Sequence, residues 1–197
     1  MRTFKLQVQT TLDGYMAGPD GEPDWMSDQW SWDLEDRLRS LMDGVDGIVL
    51  GRRMAEDFVP YWGSRPDDED AATAEWMNAT PRYVVSRTLE ASPWSDVELL
   101  RGELADSIGD LRARPGGDLI TYGGSELVSS LIREQLLDEL HLFVHPVSIG
   151  RGLPVFPTDV HHGYRLVAAT AFECGIAGLQ YTPAGDRAAD NRTPGDR

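Results

Sequence analysis

The sequence is poor in cysteine, in lysine and in long apolar runs, and each shortage excludes a class of protein. The one cysteine, Cys174, cannot form an intramolecular disulfide or a Cys-pair zinc site, which favours a reducing compartment. No apolar stretch approaches the roughly 20 residues of a membrane span. Residues 1–5 lead into a strand pattern instead of a signal sequence. We therefore expect a cytoplasmic protein that does not bind membranes.

Basic charge is also scarce. The 18 Lys and Arg residues, of which Lys5 is the one lysine, face 33 Asp and Glu residues, so the formal net charge is −15. This balance repels nucleic-acid phosphates and anionic membranes, and it favours a small molecule as the partner. We predict one domain over residues 1–182. Residues 183–197 have no large apolar side chain and are predicted to form a disordered tail.

Strand-like and helix-like patterns alternate along the chain. The predicted strands cover residues 4–12, 47–50, 83–85, 119–122, 140–148, 164–174 and 179–182. The predicted helices cover residues 28–42, with Asp28 as a candidate N-cap, a stripe over 104–111, and residues 125–137. After Asp138 the strands follow one another with only loops between them. This order predicts an α/β three-layer sandwich whose mostly parallel sheet ends in antiparallel C-terminal strands.

Three polar turns follow predicted strands: Gly51-Arg52-Arg53, Ser86-Arg87-Thr88 and Gly123-Gly124-Ser125. Glycine lets the backbone approach a ligand closely, a following helix offers unpaired N–H groups, and arginine supplies positive charge. Each turn is therefore a candidate phosphate site, and a dinucleotide would use all three. The alternative for each arginine is an ordinary solvated surface position.

Five segments, at residues 11–17, 51–56, 84–88, 122–124 and 138–152, together resemble the dihydrofolate reductase superfamily. The closer resemblance is to the branch that contains the riboflavin-biosynthesis reductase domain, and it extends over residues 2–182. It implies a dihydrofolate reductase-like fold, NADPH as the cofactor, and a homodimer, for which residues 146–157 are the candidate interface. Another cofactor with a different redox ring, such as a deazaflavin, stays open.

The resemblance also implies roles for single residues. It assigns the cofactor pyrophosphate to the turns with Gly51, Arg52, Arg53, Tyr122, Gly123, Gly124 and Ser125. It assigns the adenosine 2′-phosphate to Ser86, Arg87 and Thr88, and the nicotinamide carboxamide to the backbone near Gln9, Met16 and Ala17. Met54 departs from the pattern, because the family has a threonine there.

Hydride transfer also needs a proton, and a carboxyl group whose pKa is raised by burial is a natural source. Asp13 is the first candidate, because it occupies the position of the family's Leu-Asp-Gly aspartate. Its alternative role is that of a turn residue. Asp28 and Asp33 are second candidates. The candidates for the wall of a pocket for a flat heteroaromatic substrate are three tryptophans, Trp25 first and then Trp30 and Trp62, with core packing as their alternative role. No metal is expected, since His141 and His145 lie four strand residues, about 13 Å, apart.

These observations predict an NADPH-dependent oxidoreductase that transfers a hydride to a small pterin-like or pyrimidine-like ring or to a carbonyl compound. One alternative is the 5-amino-6-(5-phosphoribosylamino)uracil reductase of riboflavin biosynthesis. A second alternative is a module that binds NADPH without catalysis.

Overall fold

The computed structural model describes residues 1–27, 29–66 and 69–185. Its strands are β1 Phe4–Thr11, β2 Tyr15–Ala17, β3 Val45–Gly51, β4 Arg82–Val85, β5 Val97–Leu100, β6 Asp118–Thr121, β7 Glu139–His145, β8 Leu153–Pro154, β9 Tyr164–Ala171 and β10 Ala177–Pro183. Its helices are α1 Trp32–Met42, α2 Arg52–Gly63, α3 Ala71–Ala79, α4 Leu104–Ala113 and α5 Ser125–Arg133. In the described residues no helix has both the length and the apolar character needed to cross a membrane.

Eight strands form one sheet in the order β5-β4-β3-β6-β1-β7-β10-β9. The first six of these strands are parallel neighbours, and β10 and β9 are antiparallel additions. The predicted α/β fold class is therefore confirmed. Strands β2 and β8 form a separate antiparallel pair. Because β4, β3, β6 and β1 are adjacent and parallel, the turns at their carboxyl ends meet at one edge of the sheet.

The two faces of the sheet carry different helices. Phe4, Leu6 and Val8 of β1 belong to the buried cluster that includes α4 and α5. A second cluster packs α2 and α3 against the other face, and a third packs α1 beside β7. Side chains alternate along a strand, so Gln7 and Gln9 face α1 and α2. This arrangement leaves two glutamines on the floor between these helices.

Several predicted boundaries differ from the structure. Helix α1 begins at Trp32 with Ser31 as its N-cap, because Ser31 has the extended φ and ψ of a cap, whereas Asp28 lies outside the described residues. Helix α5 ends at Arg133 because Gln135 adopts a φ of 53°, which stops the helix. Helices α2 and α3 and strand β5 were not among the predicted elements. Strand β10 continues to Pro183, and residues 186–197 of the predicted tail lie outside the described residues.

Candidate active site

A cleft of about 1300 Å³ opens at the carboxyl edge of the parallel strands and continues between α1 and α2. It exceeds the ~300–1000 Å³ of an ordinary small-ligand pocket, so it has room for two ligands. All of the residues predicted to bind the cofactor line it: Gln9, Met16, Ala17, Gly51, Arg52, Arg53, Ser86, Arg87, Thr88, Tyr122, Gly123, Gly124 and Ser125. The structure thus brings together side chains that are dispersed over 117 positions, from 9 to 125.

Two helix N-termini point into the cleft edge. Helix α2 is capped by Gly51 and helix α5 by Gly124, and neither cap supplies a side-chain hydrogen bond. The first-turn N–H groups therefore keep their capacity to donate. Gly123 and Gly124 have φ values of 143° and 84°, which favour glycine. The first turn of α2 contains no acidic residue. These features fit phosphate oxygens, although Glu126 lies in the first turn of α5.

The three arginines of the cleft edge differ in their partners. Arg52 pairs with Glu56 at 2.8 Å, and Arg53 pairs with Glu126 at 2.9 Å. The exposed guanidinium of Arg87 has no hydrogen bond or ion pair among the described residues. Arg87 also lines an adjoining recess of about 400 Å³. Of the three arginines, Arg87 can therefore bind an anion without first breaking an ion pair.

Ser86 has a structural role in the Arg87 turn. Its hydroxyl oxygen accepts hydrogen bonds from the backbone N–H groups of Thr88 at 3.2 Å and Leu89 at 3.1 Å. The residue is buried. This hydrogen-bonded turn is typical of serine and fixes the backbone around Arg87. The Ser86 hydroxyl is thus occupied in shaping the turn, and Arg87 and Thr88 are the residues that it presents.

Asp13 does not line the cleft, and its carboxylate is exposed. It accepts hydrogen bonds from the Thr11 hydroxyl at 2.6 Å and from the backbone N–H groups of Ile149 and Gly150 at 3.1 and 2.7 Å. The hydrogen bond from the Thr11 hydroxyl is the largest cause that lowers the pKa of Asp13; burial opposes it, and the backbone N–H groups of Gly150 and Ile149 lower the pKa further, so that it lies below its ordinary value. The expectation of a carboxyl group with a raised pKa is therefore wrong for Asp13. Its carboxylate joins two loops.

The loops joined by Asp13 form a wall of the cleft. Tyr15 pairs with Pro154 and Ala17 with Leu153, and Met16, Ala17 and Leu153 line the cleft. Gly152 packs so tightly that a Cβ atom there would lie 2.2 Å from the Ala17 carbonyl oxygen. Glycine is required at this position because of that approach. The wall thus depends on contacts between segments about 135 residues apart.

Trp25 lies behind the cleft and does not line it. Its ring contacts His145 edge to face, with ring centroids 5.2 Å apart. His145 Nε2 in turn lies 2.9 Å from Gln9 Oε1. Burial lowers the pKa of His145, so the neutral imidazole donates from Nε2 to that oxygen. Trp25 therefore supports the residues of the floor, whereas Trp30 and Trp62 line the cleft itself.

Apart from its tryptophans, the inner half of the cleft, which we call the α1–α2 groove, was not predicted from the sequence. Its floor includes Gln7, Gln9 and Tyr122, and its walls include Leu38 of α1 and Phe58 of α2. The Tyr122 ring stacks on Phe58 with centroids 6.0 Å apart and planes 18° apart. Burial raises the pKa of the Tyr122 phenol, which therefore stays protonated. The apolar side chains that alternate with acidic ones in residues 54–77 were the available signal.

The sheet order, the glycine turns and the two-part cleft define a protein with the dihydrofolate reductase-like fold. The model of the RibD C-terminal domain matches residues 2–177, and the chain belongs to this family. The uncharacterized protein YyaP of Bacillus subtilis (strain 168) is 29% identical over 187 residues, which cover 91% of this chain and 94% of YyaP.

Two solved structures show the same fold. A protein from Shewanella sp. PV-4 that is assigned to riboflavin biosynthesis superimposes with a TM-score of 0.72 at 24% identity, over 92% of this chain and 98% of that one. Dihydrofolate reductase from Enterococcus faecalis, solved in complex with NADP(H) and RAB-propyl, gives a TM-score of 0.62 at 14% identity. That superposition covers 92% of this chain and 96% of the reductase.

Proposed function

We propose that this protein is an NADPH-dependent reductase that transfers a hydride to a small heteroaromatic ring, pterin-like or pyrimidine-like, or to a carbonyl compound. The observation that carries the proposal is one cleft in which Arg87 and two helix N-termini without side-chain caps adjoin an aromatic-walled groove. The family membership and the NADP(H) complex of the reductase from E. faecalis support the choice of cofactor.

Each half of the cleft has its own task in this proposal. The N–H groups of α2 and α5 bind the pyrophosphate, and Arg87 binds the adenosine 2′-phosphate, which makes NADPH preferable to NADH. The backbone of residues 16–17 borders the nicotinamide, and the β2–β8 wall keeps water from it. When bound, NADPH would supply a hydride to the carbon of a C=N or C=O group, and the nitrogen or oxygen of that group would take a proton from solvent. We assign Asp13 a positioning role, through the loop that it holds.

The family model favours a second candidate, the 5-amino-6-(5-phosphoribosylamino)uracil reductase of riboflavin biosynthesis. A third candidate, a module that binds NADPH without consuming it, uses the same cofactor half. Both alternatives predict cofactor binding, so binding alone does not distinguish them from the main proposal.

Turnover distinguishes them. We expect the purified protein to oxidise NADPH, followed by its absorbance, only when an acceptor from a panel of pterins, pyrimidines and carbonyl compounds is present. Equal NADPH loss with and without every acceptor, in a protein that binds NADPH, would identify the non-catalytic module. Turnover of the phosphoribosyl compound alone would identify the riboflavin-pathway reductase.

We further propose that the protein forms a homodimer through the 146–157 loop and the adjacent strand β9. Phe156 of that loop is 38% exposed and contacts Tyr164, and the outer strand exposes Leu166 and Val167. Exposed apolar side chains beside an unpaired strand edge favour association. Light scattering after size-exclusion chromatography should give twice the chain mass for wild type and the monomer mass for Leu166→Asp. A monomeric wild type would contradict the dimer.

A further inference from the structure

The α1–α2 groove has a charge that opposes phosphate. Its described lining includes the acidic residues Asp20, Glu35, Asp57, Glu69 and Asp70. The lining of the whole cleft also includes four arginines: Arg52, Arg53 and Arg87 lie at the turns of the cleft edge, and Arg39 lies on α1, where its guanidinium is 3.8 Å from the Glu35 carboxylate. A dianionic phosphate ester in this groove would meet several like charges and one already paired cation. The free arginine, Arg87, lies instead at the cofactor turns.

The groove also has the shape and surface for a flat ring. Phe58 and Tyr122 form a stacked pair, and Trp62 contacts Phe58 with ring centroids 6.1 Å apart. Met42 and Met77 complete the apolar lining. Aromatic faces and polarizable thioethers accept a planar heterocycle better than an extended, hydrated chain.

Two buried polar atoms in the groove have no hydrogen-bond partner in the part of the chain that the structure describes. The Gln9 carboxamide gives its oxygen to His145, and its Nε2 group is buried without an acceptor. The Tyr122 hydroxyl is likewise buried without a partner. An unpaired buried polar group costs free energy. A ligand that forms hydrogen bonds with these two groups removes that cost and therefore binds more tightly. Both groups donate: Gln9 Nε2 only donates, and the phenol of Tyr122 stays protonated.

We infer that the α1–α2 groove binds a flat, unphosphorylated heterocycle whose carbonyl-type edge accepts hydrogen bonds from Gln9 Nε2 and Tyr122 OH. This inference rests on the proposed reductase function and narrows its substrate. It separates this chain from a reductase whose substrate carries a ribose phosphate. The aromatic walls provide affinity, the two donors select the ring edge, and the acidic lining excludes phosphate esters.

A matched pair of probes tests the inference. 5-Amino-6-(5-phosphoribosylamino)uracil and the same preparation treated with alkaline phosphatase differ only in the phosphate. Each is titrated into the protein saturated with NADPH, and tryptophan fluorescence is followed. We expect the phosphatase-treated compound to bind about ten-fold more tightly at low salt, with a smaller ratio at high salt because ions screen the carboxylates. A separate NADPH titration reports on the cofactor half.

Two variants identify the groups responsible. Asp57→Asn should improve binding of the phosphorylated probe more than that of the treated probe, since it removes one negative charge. Tyr122→Phe should weaken binding of the phosphatase-treated probe by about five-fold to ten-fold, which is the effect of one lost hydrogen bond. Tighter or equal binding of the phosphorylated probe would overturn the inference. So would binding of neither probe by protein that binds NADPH, whereas failure to bind NADPH would refute the proposed function itself.

Discussion

Replacing Gly124 with alanine tests the cleft edge through backbone geometry alone. Gly124 is the N-cap of α5 and has φ 84° and ψ 96°. An added Cβ would lie 3.6 Å from Met54 Cβ, which is an ordinary contact and not a clash. The cost is therefore conformational, about 1–3 kcal/mol for a non-glycine residue held at positive φ. For a chain of this size, that cost lowers the melting temperature by ~3–10 °C.

A glycine-to-alanine substitution at Gly109 should change the free energy of unfolding in the opposite direction. Gly109 lies inside α4, has no positive φ, and has no atom within 4 Å of a built Cβ. Gly109→Ala should therefore stabilise the protein by about 0.5–1 kcal/mol, because alanine loses less conformational entropy in a helix than glycine does. Urea unfolding of both variants measures the difference in free energy of unfolding.

Repeating the urea unfolding in the presence of NADPH measures how much the cofactor stabilises each variant, and so tests whether the Gly124 turn contributes to binding. A ligand that binds only the folded state stabilises it by about 2.7 kcal/mol at a hundred times its Kd. Wild type and Gly109→Ala should gain equally from NADPH, and Gly124→Ala should gain less, because its α5 turn is displaced. Equal stability of Gly124→Ala and wild type without cofactor would refute the strain, and an equal gain from NADPH would refute a role for this turn.

Two further predictions concern the wall held by Asp13. The pKa of Asp13 is lowered below 3.8 in the folded protein, so its stabilising contribution is present above that value and is lost as pH falls through the folded pKa. The difference in urea stability between wild type and Asp13→Asn should thus be constant at neutral pH and vanish in acid, and a difference that grows in acid would contradict it. Gly152→Ala should cost ~1–3 kcal/mol and weaken NADPH binding, because its Cβ would displace Ala17; Gly63→Ala, which has open space, should do neither.

The sequence was informative about the cleft edge for a physical reason. Parallel strands place their carboxyl ends side by side, so turns recognised after separate apolar runs had to meet once the sheet formed. Glycine and arginine in these turns are local signals, and each was visible without knowledge of tertiary contacts. Apolar periodicity predicted seven of the strands and three of the helices in their observed order, but it missed α2, α3 and the short strands β2, β5 and β8.

The role of Asp13 was not predictable because its partners come from far along the chain. An Asp-Gly pair indicates a turn, and nothing near it in sequence shows that Ile149 and Gly150 donate to its carboxylate. The groove was missed for a related reason. Strand alternation predicts that Gln9 faces one side, but only the structure shows that His145 takes its oxygen and leaves its nitrogen unpaired.

The most direct test of the central claim is a titration of the purified protein with NADPH and with NADH, followed through the fluorescence of tryptophans such as Trp30 and Trp62, which line the cleft. We predict that NADPH binds wild type about ten-fold to thirty-fold more tightly than NADH, the effect of one charge-assisted phosphate contact. Arg87→Ala should abolish this preference. The control Arg133→Ala should keep it, because Arg133 is paired with Asp159. Binding of neither cofactor, or a preference unchanged in Arg87→Ala, would contradict the account.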